Sequence, residues 1–340
     1  METIFSEKDF MLCNAPVPAG YPQSQTHTGV AKAGNRLYLT TSPFPVMKYG
    51  LIQRILNKVC RLFTNGVYPP IYGDAQENPM LYWGEERELH PTEFTPYIGN
   101  PLAPRPTQLF GYHSYNSDPD IFAEGDEIYI LNRECYKKSK AGDYWCRIVQ
   151  FHFTATSEGA DYASAKVLLE TPTLFLSPSI AKKDGVYYMF NLETSSYNTG
   201  TKECHLYLRQ SNRVDGQYDA ARESSITSGI FVPWHLSVFS YKEELYAIVA
   251  CIKEGQPKRL YQMMGKFNKD LSSLHIYQCP LADMQSYRGA AYIDNKGDFV
   301  LYNTTVGVKI KGGKSVDGRE IIMASKKFED VLEILRANEG

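Results

Sequence analysis

The sequence predicts an all-β fold, a five-bladed β-propeller with one helical insertion in the first blade. The first observation is a short pattern that recurs five times along the 340 residues: an apolar run, a polar turn and a second apolar or aromatic run. The second is the spacing, because the hydrophobic residues that follow the five turns are separated by 91, 59, 58 and 54 residues. These anchor residues are Leu37, Ile128, Tyr187, Leu245 and Phe299. Nearly regular recurrence is typical of repeat architectures, and each unit has further strand-like segments downstream, as a propeller blade requires.

The first blade contains the insertion, because the first interval is longer than the others. Its inner hairpin is expected at His27–Thr41, after an irregular Pro-rich segment at residues 1–26 that also holds a candidate ring-closing strand. We place the insertion at residues 43–72. Within it, residues 51–63 (LIQRILNKVCRLF) have apolar side chains on one helical face and basic ones elsewhere. Such a helix can bind a membrane surface but more commonly docks on its own protein. Residues 77–106 complete the blade.

The second blade has the clearest hairpin. Asn116–Tyr136 contains Asp-Pro-Asp, then two short apolar runs around a turn at residues 124–126. Two such runs around a Gly/Asp turn are typical of a β-hairpin. In-register pairing would bring three acidic residues together: Asp118, Asp120 and Glu134. The alternative is that Asp-Pro opens a turn and that Glu134 is a solvated strand end.

The other blades follow in chain order. Outer strands of blade two are expected at residues 145–156 and 164–171, and blades three, four and five begin near Ser177, Pro233 and Tyr287. The segment FEDVLEILR predicts a short closing helix with one apolar stripe. The stripe consists of Phe328, Val331, Leu332 and Leu335. No low-complexity segment or linker divides the chain, so residues 1–340 are expected to form a single propeller domain.

The composition excludes several classes of function. A net charge of −2 gives no general attraction to nucleic acid or to anionic membranes. No apolar run reaches the length of a membrane span, and the first residues lack the segments of a signal peptide. We therefore expect a cytoplasmic or virion-associated protein, extracellular only if the sequence is a trimmed form. The oligomeric state does not follow from the sequence.

The seven cysteines form an odd set without a CxxC pair. This argues against a disulfide framework and against a structural zinc site. A reducing compartment is the simpler interpretation. We expect no disulfide, no cofactor and no bound metal.

The candidate site is the central channel, where residues that lead into the innermost strands of a propeller converge. Counting back ten positions from each anchor gives one residue per blade. These residues are His27, Asp118, Ser177, His235 and Gly289, with Asp120, Tyr287 and Arg288 beside them. The second strands of two blades end at Glu134 and Glu193, which would place carboxylates on the rim.

Each of these residues also has a purely structural interpretation. His27 and His235 fit neutral histidines in blade–blade hydrogen bonds equally well, and Asp120 fits a carboxylate that binds turn amides. Asp118 is the preferred catalytic residue because it lies ten positions before its anchor, as both histidines do. Arg288 fits a blade-to-blade ion pair or substrate binding, and we favour the latter.

The string SDPDIFAEGDEIYILNRE resembles the signature of the five-bladed propeller glycosidases, the clan of glycoside hydrolase families 43, 32 and 117. ENPMLYWGEE, SPSI…YYMF and PWHLSVF resemble blade openings in that wider group, so the resemblance covers the whole chain as architecture. It implies a general base at Asp118 or Asp120, as in family 43. The family-43 acid lies in a Glu-Gly-Pro string, and the nearest counterpart, at Glu254, follows a second strand and is expected away from the axis. In families 32 and 68 the acid precedes Cys, which Glu134 and Glu203 match in letters.

The leading hypothesis is a glycoside hydrolase that acts on a poly- or oligosaccharide through paired carboxylates in the central pocket. Asp118 would be the base or nucleophile, and Glu134 or Glu193 the acid. The expected substrate-binding residues are His27, Asp120, His235, Tyr287 and Arg288. The alternatives are a non-catalytic glycan-binding propeller, which needs no proton donor, and a scaffold that binds protein on one face. Two carboxylates about 5–10 Å apart would favour the glycoside hydrolase. A shallow pocket lined by Tyr would favour the glycan-binding propeller, and a large exposed apolar patch would favour the protein-binding scaffold.

Overall fold

The computed structural model describes residues 3–19, 21, 24–44, 77–86, 90–102, 115–139, 144–173, 175–194, 204–256, 259–282, 284–306 and 319–339. Over these residues the protein has twenty β-strands, one α-helix and one short 3-10 helix. The strands form five groups of four antiparallel neighbours. This arrangement confirms the predicted all-β propeller of five blades. None of the described helices is long and apolar enough to cross a membrane.

The first three blades are each formed by consecutive strands, named here from the channel outward. Blade one comprises β2 (Gln25–Ala33), β3 (Arg36–Pro43), β4 (Met80–Glu85) and β5 (Thr95–Pro96). Blade two comprises β6 (Tyr115–Glu124), β7 (Glu127–Lys137), β8 (Tyr144–Thr156) and β9 (Gly159–Thr171). Blade three comprises β10 (Phe175–Lys183), β11 (Val186–Thr194), β12 (Cys204–Ser211) and β13 (Arg222–Thr227).

The last two blades follow the same order, but the outermost strand of blade five comes from the beginning of the chain. Blade four comprises β14 (Phe231–Tyr241), β15 (Glu244–Lys253), β16 (Leu260–Phe267) and β17 (Ser273–Ile276). Blade five comprises β18 (Ser286–Ile293), β19 (Asp298–Val306), β20 (Arg319–Lys327) and β1 (Met11–Leu12). Met11 pairs with Met323, so this blade is assembled from two distant parts of the sequence.

Blades three and four are joined at their outer edges. β13 pairs with β17 in parallel, with Ser225 opposite Ser273 and Ile226 opposite Leu274. The eight strands therefore form one continuous sheet. The pairing covers backbone groups that would otherwise be exposed at two sheet edges.

The predicted closing helix is confirmed. Helix α1 spans Phe328–Ala337, and the four residues of its predicted stripe are buried. Phe328 packs against Phe299 and Tyr246 of the last two blades, with ring centroids 5.7 and 5.1 Å apart. The helix therefore fills the junction between blades four and five with aromatic and aliphatic side chains. Burial of each large apolar side chain there contributes about 1.5–3 kcal/mol.

The predicted hairpin of blade two is also confirmed. β6 and β7 pair around a two-residue turn, with Glu124 opposite Glu127 and Gly125 at a φ of +61°. The predicted insertion at residues 43–72 and its helix lie outside the described residues, apart from residues 43 and 44. The insertion and the single domain over residues 1–340 therefore stay predictions.

All five innermost strands contain a β-bulge near the same end. The register shifts fall between Thr26 and Gly29, Ser117 and Asp120, Leu176 and Ser179, Pro233 and His235, and Ser286 and Gly289. Three bulge residues, His27, Asp118 and Ser177, have left-handed backbones with φ of +56°, +52° and +51°. A bulge bends its strand and re-aims side chains. Because the five bulges surround one axis, their side chains converge at one end of the channel.

Six cysteines lie in the described part of the chain, and all six are free thiols. Cys135 and Cys146 are direct neighbours on β7 and β8, and their sulfur atoms are 3.3 Å apart. Cys60 lies outside the described residues. Cys135 and Cys146 are therefore two neighbouring thiols within blade two.

Candidate functional site

Two histidines and one aspartate meet where the bulges converge. His27 comes from blade one, Asp118 from blade two and His235 from blade four. One ligand-type atom from each lies within 4.8 Å of the other two. The three residues are 1%, 0% and 2% exposed. The shared offset from the anchors thus identified three residues that the fold brings together from three blades.

Asp118 is the centre of this cluster, and its two carboxylate oxygens have different partners. Oδ1 lies 3.0 Å from Nδ1 of His27 and 3.7 Å from Nδ1 of His235. Oδ2 accepts a hydrogen bond of 3.0 Å from the backbone N–H of Ser177 and lies 3.3 Å from a guanidinium nitrogen of Arg133. One oxygen is therefore held by blade three and by Arg133, while the other faces the histidines.

The imidazole nitrogens are incompletely paired. Nδ1 of His27 faces Oδ1 of Asp118, but among the described residues Nε2 of His27 and Nε2 of His235 are buried without a hydrogen-bond partner. The remaining nitrogen, Nδ1 of His235, lies 2.8 Å from the hydroxyl of Ser177. Buried polar atoms are nearly always satisfied in native proteins. The two Nε2 atoms therefore need a partner that the described protein groups do not supply, either a bound ligand or ordered water.

The electrostatics favour an ionised carboxylate and a neutral histidine. Burial alone would raise the pKa of Asp118, but Arg133, the two histidines and Arg288 outweigh it and hold this pKa well below its usual range. Burial lowers the pKa of His235 well below its usual value, although Asp118 opposes this shift. A carboxylate with a neutral imidazole is the protonation state in which both groups can bind a metal ion.

Aromatic residues form the wall beside the cluster. The half-buried ring of Tyr287 lies 5.0 Å from the ring of His27 and 4.9 Å from that of His235. Trp234 lies next to His235, with ring centroids 5.7 Å apart. The guanidinium of Arg319 lies 4.3 Å from the ring centroid of Tyr287. The predicted residue Tyr287 thus contacts both histidines.

Glu77 is a site residue that sequence reasoning missed. Its Oε2 lies 3.7 Å from Nε2 of His27, and its side chain is 13% exposed. Its backbone has a φ of +56°, which a non-glycine residue adopts at a cost. The string ENPMLYWGEE resembles a blade opening. Nothing in it shows, however, that its first residue, Glu77, approaches His27.

Asp120 and Arg288 form a second buried group beside the cluster. A guanidinium nitrogen of Arg288 is 3.3 Å from Oδ2 of Asp120, and the same group donates to the carbonyl oxygens of Pro119 and Leu236. Ser237 donates a further hydrogen bond to Asp120. Both members of the ion pair are at least 98% buried. The structure therefore places these two predicted substrate-binding residues in a buried blade-to-blade network.

The two predicted acids lie apart from this network. Arg133 of β7 points to the channel, so strand alternation directs its neighbour Glu134 to the opposite face. There Glu134 accepts a hydrogen bond of 2.6 Å from Nε of Arg147. Glu193 is half-buried near the end of β11, and burial raises its pKa above the usual value. Asn191 donates a hydrogen bond of 3.3 Å to it. Neither glutamate has a described contact with Asp118.

Comparison with known proteins identifies the fold. No protein-family model matches the sequence, and no curated protein matches it. Among solved structures, an N-acetylgalactosamine deacetylase from F. plautii in complex with blood group B trisaccharide has a TM-score of 0.68 at 16% identity, over 96% of each chain. A GH43_1 enzyme from Xanthomonas citri has a TM-score of 0.56 at 10% identity, over 92% of this chain and 90% of the other. A family 117 glycoside hydrolase from Zobellia galactanivorans has a TM-score of 0.51 at 11% identity, over 93% and 90%.

These likenesses establish a glycoside hydrolase-like propeller fold for the whole chain. They agree with the resemblance found in the sequence strings. At such low identities they concern architecture, and function has to be argued from the site itself.

Proposed function

We propose that this protein is a divalent-metal-dependent hydrolase that removes an acyl group from a sugar of a glycan. The observation that carries the proposal is the buried cluster of His27, Asp118 and His235, with unpaired imidazole nitrogens around an ionised carboxylate. Two imidazoles and one carboxylate form a donor set that suits Zn²⁺ and other first-row divalent ions. The residues present therefore fit such an ion, whereas the sequence analysis predicted no bound metal.

The surroundings of Asp118 favour metal binding over direct action on the substrate. The side chain is fully buried, and its Oδ2 is already engaged by Ser177 and Arg133. A carboxylate whose pKa lies far below the usual range is also a weak base, which is a poor match for proton abstraction near neutral pH. A bound divalent ion would polarise a carbonyl oxygen and acidify a water molecule. That chemistry suits an ester or amide more than a glycosidic bond.

The rim supplies groups suited to binding and proton transfer. The rings of Trp234 and Tyr287 can stack on the apolar face of a sugar. Glu77 is the partly exposed carboxylate beside the cluster, so it is placed to exchange a proton with the substrate or with water. The structurally similar F. plautii protein is described as an N-acetylgalactosamine deacetylase, which supports an acetylated amino sugar as the substrate class here.

Glycoside hydrolysis through Asp118 and Glu193 is the second candidate. The raised pKa of Glu193 favours it, because a general acid has to hold its proton near the working pH. In this reaction Asp118 would act as base or nucleophile, as the sequence hypothesis has it, and Glu193 would protonate the leaving oxygen. Burial raises the pKa of Glu134 as well, although Arg147 opposes this shift. Glu134 suits the role less because its side chain lies on the face of β7 opposite to Arg133.

The decisive experiment compares two reactions on one set of variants. Acetate release from N- and O-acetylated sugars and release of a chromogenic aglycone would be measured with and without a chelator. The variants are His235→Gln, Glu193→Gln and, as a control, His205→Gln, whose side chain is 49% exposed. The proposal predicts that the wild type releases acetate, that a chelator abolishes this activity, and that added Zn²⁺ or Mn²⁺ restores it. Of the three variants, only His235→Gln should be inactive.

Other results would select the other hypotheses. Chelator-resistant cleavage of the glycoside that Glu193→Gln abolishes would establish the second candidate instead. Glycan binding without either reaction would establish the non-catalytic propeller.

A further inference from the structure

We infer that Ser177 is a positioning residue that orients two members of the proposed metal site, and that it is not a nucleophile. The inference rests on the proposed function. Its hydroxyl lies 2.8 Å from Nδ1 of His235, and its backbone N–H donates to Oδ2 of Asp118 over 3.0 Å. One residue of blade three thus contacts a residue from blade two and a residue from blade four.

A serine beside a histidine and an aspartate resembles a catalytic triad, but the geometry differs. In a triad the serine and the aspartate bind opposite nitrogens of the imidazole, so that a proton can pass through the ring. Here the hydroxyl of Ser177 and Oδ1 of Asp118 both approach Nδ1 of His235, at 2.8 and 3.7 Å. The hydroxyl of Ser177, which is 0% exposed, is also already engaged by Nδ1 of His235.

The same geometry suits a group that holds a metal ligand in place. A ligating histidine normally donates its other ring N–H to a neighbouring group, which fixes the tautomer and the ring orientation. If the N–H at Nδ1 of His235 donates to Ser177, the lone pair at Nε2 is left for the ion. Among the described residues that nitrogen has no hydrogen-bond partner. The backbone N–H of Ser177 meanwhile holds Oδ2 of Asp118, which leaves Oδ1 on the side of the histidines.

The backbone at Ser177 supports this role. The residue lies in the bulge of β10 with a φ of +51°, a conformation that costs a non-glycine residue of order 1 kcal/mol. In this conformation both the hydroxyl and the N–H of Ser177 point into the cluster. Ser179, two residues further along β10, is equally buried, but its hydroxyl accepts a hydrogen bond of 2.9 Å from the backbone N–H of Val238. It therefore provides a matched control.

The test measures metal affinity of the whole chain. Ser177→Gly removes the hydroxyl, keeps the N–H and tolerates the positive φ, whereas Ser179→Ala removes a hydroxyl outside the cluster. We expect Ser177→Gly to weaken Zn²⁺ binding by about 10–100-fold, the usual effect of losing such a partner. It should also shift the visible absorption spectrum of the Co²⁺-loaded protein. Ser179→Ala should leave affinity and spectrum unchanged, within about twofold, even if it lowers stability.

The outcomes separate the inference from the proposed function. A wild-type protein that binds neither Zn²⁺ nor Co²⁺ would overturn both. If the wild type and Ser177→Gly bind Zn²⁺ with equal affinity, the inference alone is overturned. The same holds if Ser177→Gly and Ser179→Ala lose equal amounts of Zn²⁺ affinity. Covalent labelling of wild-type Ser177 by a fluorophosphonate would assign it as a nucleophile. If Ser177→Gly does not fold, nitrogen-15 NMR of the wild-type metal-free protein decides: a proton on Nδ1 of His235 supports the inference, and one on Nε2 overturns it.

Discussion

Replacement of Asp118 by asparagine should lower the free energy of unfolding by about 3–5 kcal/mol, although the two side chains have nearly the same shape. Asp118 is fully buried, and the guanidinium of Arg133, 3.3 Å away, is 97% buried. Removing one charge of a buried ion pair costs this much because the other charge stays in a medium of low polarity. The new amide adds a conflict. Its oxygen is needed by the N–H of Ser177, so its NH₂ group would face the histidines.

The assay is urea denaturation followed by tryptophan fluorescence, with Asp215→Asn as the control. Asp215 pairs with the exposed Arg213 over 3.0 Å, and exposed ion pairs contribute little to stability. The control should therefore unfold like the wild type, while Asp118→Asn should unfold at a much lower urea concentration. If Asp118→Asn lies within about 1 kcal/mol of the wild type, the reasoning fails, since a buried charge lost from its partner would exceed that value.

Three further predictions concern pH, packing and thiol chemistry. Burial holds the pKa of His235 well below its usual value near 6.5, so the unfolded chain binds that proton first. The free energy of unfolding should therefore decrease as the pH falls below about 6.5, and His235→Gln should flatten this slope in urea titrations. A Cβ at Gly29 would lie 2.8 Å from both Oδ1 of Asp120 and a methyl group of Thr40, so Gly29→Ala should cost about 1–3 kcal/mol; an unchanged urea midpoint would contradict this. Cys135 and Cys146 are fully buried, so mild oxidation of the folded protein with oxidised glutathione should leave both thiols intact; a Cys135–Cys146 link found by peptide mapping would contradict this.

The sequence was sufficient for the architecture because the repeat is carried by hydrophobic patterning. The anchors Leu37, Ile128 and Leu245 all lie on second strands, each directly after a hairpin turn, as the spacing requires. A fixed offset assumes hairpin turns of equal length, however. In blade five Ile293 pairs with Phe299, whereas in blade one Ala33 pairs with Arg36, so the turn of blade five is longer. Counting back ten positions therefore gives Gly289, although Tyr287 and Arg288 are the residues in the bulge.

The sequence predicted which side chains converge where the residues share a position in the repeat, but it could not predict the direction of a side chain. His27, Asp118 and His235 converge because they lie at equivalent positions of the propeller. Glu134 was expected beside Asp118, but one step along a strand reverses the direction of the side chain, and it pairs with Arg147. Glu77 was missed because no repeat relates it to the channel.

The pairing of β1 with β20 has a consequence for the order in which the protein is made. His27 and Asp118 leave the ribosome early, but the ring around them is completed only after Met323 can pair with Met11. Until then blade five lacks its third strand, and long-range contacts of this kind form slowly. The nascent chain therefore carries His27 and Asp118 without the complete ring until β20 has been made. Their full burial should then be a late step of folding.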